Sequence, residues 1–188
     1  GCEIKGFVVL KRSVDARKKD DVSLVYTIAV KVPHENQVLK KCRSKKVSLY
    51  AERLYQFPVE RLRLARRPVI VGTGPAGLFC GLMLARTGAR PILLERGREV
   101  EARTRDVEHF WQTGQLDPKS NVQFGEGGAG TFSDGKLNTG VHDPRMRFIL
   151  EEFCRHGAPP EIRYDAAPHV GTDYLRLVVK SMREELLS

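Results

Sequence analysis

The 188-residue sequence has little sulfur, with four cysteines and three methionines, and a single tryptophan. Cys2, Cys42, Cys80 and Cys154 form no CxxC pair and no Cys/His ligand spacing, which argues against a zinc site or a disulfide frame and fits reduced thiols in a cytosol. Cys80 is expected to serve packing. No run of 18 apolar residues occurs, so no membrane-spanning helix is expected, and no signal peptide is recognisable, so a cytoplasmic location is expected. What is present is an ordinary globular composition, 41% hydrophobic, enough for one medium domain or two small ones.

Charge divides the chain. The net charge is +9, yet residues 1–67 hold 17 Lys/Arg against 7 Asp/Glu, whereas residues 68–188 hold 15 against 16. A boundary is therefore expected at Arg66-Arg67-Pro68, with a small basic α+β domain at 1–67 and an α/β domain at 68–188. Val22, Leu24, Tyr26, Ile28, Val30 and Val32 alternate with polar residues as a half-buried strand does, with Ile4 to Leu10 as its partner. Residues 11–21, KRSVDARKKDD, read as a basic connection between them. The chain enters this first strand almost at once and without methionine, so the domain is expected to be incomplete. Clustered Lys/Arg also attracts nucleic acid, but no exposed aromatics interleave with it, and a solvated basic face is the favoured reading.

The stretch VIVGTGPAGLFCGLMLARTGARPILLERG, residues 69–97, carries the chemistry. Pro68 to Val71 reads as a buried strand that stops at Gly72-Thr73-Gly74. Pro75 opens a helix, where its missing N–H has no partner to lose, and Leu78, Leu82 and Leu84-Ala85 give that helix an apolar face. Gly88 ends it, and Arg90 to Glu95 reads as a second strand. The unit is strand, glycine turn, helix, strand, within the roughly 30 residues a βαβ unit needs. Gly72 permits the sharp turn, Gly74 allows close approach of a pyrophosphate, Gly77 lets helix and strand pack closely, and Gly81 extends that packing. The helix N-terminus, with Pro75 and Ala76, presents unpaired N–H groups and a partial positive charge. Glu95 lies 23 positions past Gly72, where an acid accepts from ribose hydroxyls and repels a 2′-phosphate. NAD or the adenosine half of FAD is therefore expected before NADP; a glycine turn used for packing alone is the bland alternative.

Six glycines fall within residues 121–140, NVQFGEGGAGTFSDGKLNTG: Gly125, Gly127, Gly128, Gly130, Gly135 and Gly140. Such density lets backbone N–H groups converge on a flat or anionic ligand. Val122, Phe124, Phe132, Ser133, Asp134 and Leu137 among them suggest a packed loop of fixed shape rather than a flexible one.

GTGPAGLF (72–79), LLERG (93–97), RTRDVEHFW (103–111), NVQFGEGGAGTFSDGKLNT (121–139), GAPPEI (157–162) and PHVGTDYL (168–175) resemble a bacterial family of largely uncharacterised FAD-dependent dehydrogenases. Its members are often labelled NAD(FAD)-utilising dehydrogenases, within the glutathione-reductase-like FAD superfamily. KRSVDARKK (11–19) resembles the basic segment of its N-terminal domain, and GEGGAGTFSDGKL is the most specific piece. The resemblance implies an α/β fold with a Rossmann-like FAD-binding domain. It implies FAD as cofactor, with Gly72, Gly74, Pro75, Ala76 and Gly77 at the pyrophosphate and Glu95, followed by Arg96, at the adenosine ribose. It also brings the loop from Gly125 to Lys136, with Gly127, Gly128, Ala129, Gly130 and Thr131, up to the FAD. Arg103 is a weaker candidate for an FAD phosphate or carbonyl, with a surface arginine as its alternative. Val100, Val107 and Phe110-Trp111 are expected to face the core.

Measured against that family the chain stops early, at Ser188, the end of a helix that begins near Thr172-Asp173, and the segment from Val141 to Arg147 looks short. The expectation is an N-terminal fragment of an oxidoreductase, holding the adenine side of the cofactor and unable to turn over alone. No second GxGxxG suggests a separate nicotinamide domain. Among His109, His142, His156 and His169, none is paired with an orienting acid in the sequence, and no catalytic residue is assigned; Asp134 and Lys136 stand with them. Two other readings remain: a nucleic-acid-binding or RNA-modifying flavoprotein, and an NAD-binding module without flavin.

Overall fold

The structure, a computed structural model, describes residues 2–52, 54–58, 60–137 and 143–188. Strands β1 (Gly6–Asp15) and β2 (Ser23–Lys31) form an antiparallel hairpin, and helix α1 (Glu35–Lys41) follows. A βαβ unit comes next: β3 (Val69–Val71), α2 (Pro75–Arg86) and β4 (Ile92–Leu94), with the two strands parallel. Helix α3 (Val100–Thr113), a 3₁₀ turn at Ala129–Phe132, helix α4 (Pro144–Arg155), a second 3₁₀ turn at Pro160–Arg163 and helix α5 (Thr172–Leu187) complete the described elements. No helix among the described residues is long and apolar enough to cross a membrane.

The first 67 residues depart from the sequence reading. The expected connection at 11–21 is half strand: Lys11 to Asp15 continue β1 past a bulge at Leu10 and pair with Ser23 to Thr27. What holds this extension is Arg12. Its Nε and Nη2 donate to Oδ1 and Oδ2 of Asp165 at 2.6 and 2.8 Å, and its backbone bonds Tyr164 and Ala166, so β1 lies against a distant segment. Strand β2 is not half-buried either. Leu24, Tyr26, Ile28 and Val30 are all exposed, because no element among the described residues covers that face.

The core forms where α2 and α5 cross. Leu78 and Leu82 pack with Val178, Val179 and Met182, and Val100, Ile162 and Val170 close the cluster. Each such burial contributes about 1.5–3 kcal/mol. Gly81 is the contact point: a Cβ there would sit 3.0 Å from Leu93 of β4 and 3.3 Å from Leu186 of α5. The other side of the two-stranded sheet is bare among the described residues, with Val69 57% and Val71 83% exposed. Trp111, expected in the core, is exposed on α3, where it meets Phe132 edge-on; the buried residues of that helix are Val100, Arg103 and Val107.

Candidate cofactor site

The turn after β3 is closed by an acid. Gly72, at φ +94°, donates its N–H to Leu94 O at 2.6 Å, carrying the ladder one residue past the strand. Thr73 is buried, and its amide and hydroxyl both donate to Oε2 of Glu95, at 2.7 and 2.9 Å. Oε1 of the same carboxylate accepts from Gly97 N–H at 2.8 Å. Burial pushes the Glu95 carboxyl up, but the donors from Gly97 and Thr73 outweigh it and hold the group below its ordinary value. Glu95 thus points into the turn, and two of the turn's amides are spent: Gly72 N–H, expected at the pyrophosphate, on Leu94, and Thr73 N–H on Glu95.

The N–H groups that remain belong to Gly74, Ala76 and Gly77. None has an acceptor among the described residues, and the first turn of α2 carries no acidic side chain. A Cβ on Gly77 would collide with the Gly72 carbonyl oxygen, so helix and turn touch backbone to backbone. In front of Gly74 the space is open, with nothing within 4 Å of where a Cβ would stand. The combination is an uncapped helix end with an accessible approach, which attracts phosphate.

The second glycine loop docks on the first. Gly127 N–H donates to Thr73 O at 2.8 Å, and Gly128 lies against Pro75 and Gly74, where an added Cβ would come within 3.3 and 3.5 Å. Gly97 and Gly125 approach so closely that a side chain on Gly97 would strike the Gly125 backbone. Gly125, Gly127 and Gly128 take φ values of +114°, +81° and +73°, which side chains disfavour.

Arg103 is not the surface arginine offered as its alternative. Its side chain is fully buried beneath the loop, and it donates to the carbonyls of Asn121, Val122, Glu126 and Gly128. Burial lowers its pKa from the ordinary arginine value, against the opposing pull of Glu95 and Glu126. Its guanidinium also covers Phe132, 4.7 Å from the ring centroid.

Gly72, Gly74, Pro75, Ala76, Gly77, Glu95, Gly127 and Gly128 are therefore brought together around one turn. Ala129 and Gly130 stand exposed at its rim, and Arg96 lies over Phe124 at 4.1 Å. Thr131 is buried with its hydroxyl unpartnered among the described residues. It borders a cavity of about 140 Å³ shared with Leu78, Phe79, Leu137 and Phe153. The histidines are not gathered here. His109 and His169 are exposed, His142 lies outside the described residues, and His156 is buried between Glu152 O and Glu185 Oε2 at 2.8 and 3.0 Å. Asp134 and Lys136 pair with each other at 2.6 Å.

The sequence reading missed Glu126. It is buried, accepts Val100 N–H at 2.6 Å and so caps α3, and meets Arg183 of α5 at 3.1 Å. Desolvation raises its pKa, opposed by Val100 N–H and Arg183. The one signal for it was a charged residue set among glycines that otherwise exclude side chains.

A dinucleotide fits these residues. Unpartnered amides at an open helix end suit a diphosphate, the Glu95 carboxylate retains lone pairs for ribose hydroxyls, and the orphaned Thr131 hydroxyl wants a partner. Residues 67–107 match a family model described as FAD binding domain, and residues 2–31 match one described as a domain of unknown function. A protein of Clostridium beijerinckii described as an uncharacterized protein is 46% identical over 185 residues, covering 98% of this chain and 35% of that protein. The chain thus spans about a third of the length of the curated relative it matches. The glycine turn, α2, Glu95 and Arg103 all lie inside the FAD-binding match, and FAD is the cofactor it supports.

Proposed function

We propose that the chain is part of a flavin-dependent oxidoreductase of dehydrogenase type, in which residues 68–188 belong to a Rossmann-like FAD-binding domain and residues 1–67 form a small basic domain before it. The observation that carries this is the convergence of both glycine segments on one turn, joined by Gly127 N–H to Thr73 O, with Glu95 gripping that turn from the end of the second parallel strand. The FAD-binding match over residues 67–107 supports the cofactor, and a parallel βαβ unit with the acid in this place supports the Rossmann-like arrangement.

Gly74, Ala76 and Gly77 would hold the diphosphate through backbone N–H groups, Glu95 would accept from the adenosine ribose, and Ala129 to Thr131 would line the approach. Bound FAD supplies hydride transfer at its flavin ring. The chain's own part is to orient the cofactor: the α2 terminus fixes the diphosphate, and Glu95 sets the ribose while disfavouring a 2′-phosphate. The substrate is a small molecule of unassigned class, and the location we infer is cytoplasmic.

The test is titration of the purified chain with FAD, NAD and NADP in parallel, followed by thermal melting and flavin absorbance. FAD should stabilise strongly and co-purify as a yellow colour, and NADP should not stabilise. A colourless chain that no FAD concentration stabilises would overturn the proposal; stabilisation by NAD alone would favour a flavin-free module.

A further inference from the structure

Arg103 buries a guanidinium without a carboxylate partner among the described residues. Every polar contact is a backbone carbonyl of the second loop: Nε to Asn121 O at 2.9 Å, Nη2 to Val122 O at 2.9 Å, and Nη1 to Glu126 O and Gly128 O at 2.9 and 2.7 Å. Desolvating a cation is costly, and these carbonyls compensate it only while the loop keeps this shape. In a trans peptide the carbonyl and the next residue's N–H point in opposite directions. Drawing the Glu126 and Gly128 carbonyls inward therefore turns the N–H groups of Gly127 and Ala129 outward. The first meets Thr73 O and docks the loop on the cofactor turn. The second has no acceptor among the described residues, Ala129 is exposed, and the preceding Gly128 lies against Gly74 and Pro75.

We propose that Arg103 is the positioning residue of the cofactor's diphosphate: its grip on the Gly128 carbonyl aims the Ala129 N–H into the same opening as the free N–H groups of Gly74, Ala76 and Gly77. This rests on the FAD reading and deepens it. The planar fork of arginine matters, because a lysine ammonium on a single stem cannot span carbonyls from Asn121 to Gly128 in the same geometry. The face of Phe132 meets the fork, with Arg103 at 4.7 Å and Arg176 at 5.1 Å from its ring centroid.

Two variants of the whole chain test it, A129P and R103K, with affinities for ADP and FAD measured by calorimetry and ligand-free melting recorded beside them. A129P deletes one N–H at the first position of a 3₁₀ turn, where proline is tolerated. It should melt like the unaltered chain yet bind ADP and FAD about 10-fold more weakly, the loss expected for one hydrogen bond to a charged oxygen. R103K should lose at least about as much affinity and alter the circular dichroism of the bound flavin, because the loop re-aims its amides. A129P binding as tightly as the unaltered chain overturns the proposal, as does an R103K chain that melts lower but keeps its ADP affinity. If R103K fails to fold, A129P decides alone. Failure of the unaltered chain to bind FAD or ADP instead overturns the cofactor reading itself.

Discussion

Glu95→Gln separates the acid's structural work from its work on a ribose. In the ligand-free chain the carboxylate accepts three hydrogen bonds, two from Thr73 and one from Gly97. Glutamine is nearly the same shape but offers one acceptor oxygen, so either the Thr73 side or the Gly97 N–H must face an NH₂ group. At least one charge-assisted bond, worth about 1.5–3 kcal/mol, is lost, and the survivors fall to neutral strength; for this half-buried group we expect a net cost of about 2–3 kcal/mol. For a chain of this length that lowers the melting midpoint by about 4–12 °C. The pH dependence gives a second reading. Because folding holds the Glu95 carboxyl below its ordinary value, its contribution is complete above the ordinary carboxylate range and disappears as pH falls through the folded-state value. The gap between the two chains should therefore be wide at neutral pH and narrow as pH falls below the ordinary carboxylate range. Melting curves of ligand-free protein from neutral to acid pH check both parts. Identical midpoints at neutral pH, or a gap that stays constant into acid, would refute the reasoning.

Gly77→Ala forces a Cβ onto the Gly72 carbonyl oxygen and should cost about 3 kcal/mol in urea unfolding, at the upper end for overpacking, with FAD binding lost alongside. Arg86→Met removes the cation that Glu152, 2% exposed, meets at 2.8 Å. Among the described residues the carboxylate then keeps only the exposed Arg155, and the unfolding free energy measured in urea should fall by about 3 kcal/mol. The basic face of residues 1–67 should remain solvated: the chain should not shift an RNA or DNA duplex in a gel at physiological salt, and a stable shift would reinstate the nucleic-acid reading.

The shape of the glycine turn was legible in the sequence because it is written in local backbone demands. Gly72 must take a positive φ, Gly77 must lack a Cβ, Pro75 must start a helix, and Glu95 must end the next strand; each is a constraint within about 30 residues, the span of one βαβ unit. The second loop was legible for the same reason, through the density of its glycines. Side-chain destinations were not legible. Arg103 reads equally as a ligand contact or a surface residue on α3, and only the fold that returns the loop from Asn121 to Gly128 over the helix makes it an internal brace. Likewise β1 outruns its apolar stretch because Asp165, 153 positions away, pairs with Arg12, and Trp111 stays exposed with its ring edge-on to Phe132. Local sequence determines what the backbone can do at each glycine and proline; long-range contacts decide where a long charged or aromatic side chain ends, because its energy depends on partners that no sequence window contains.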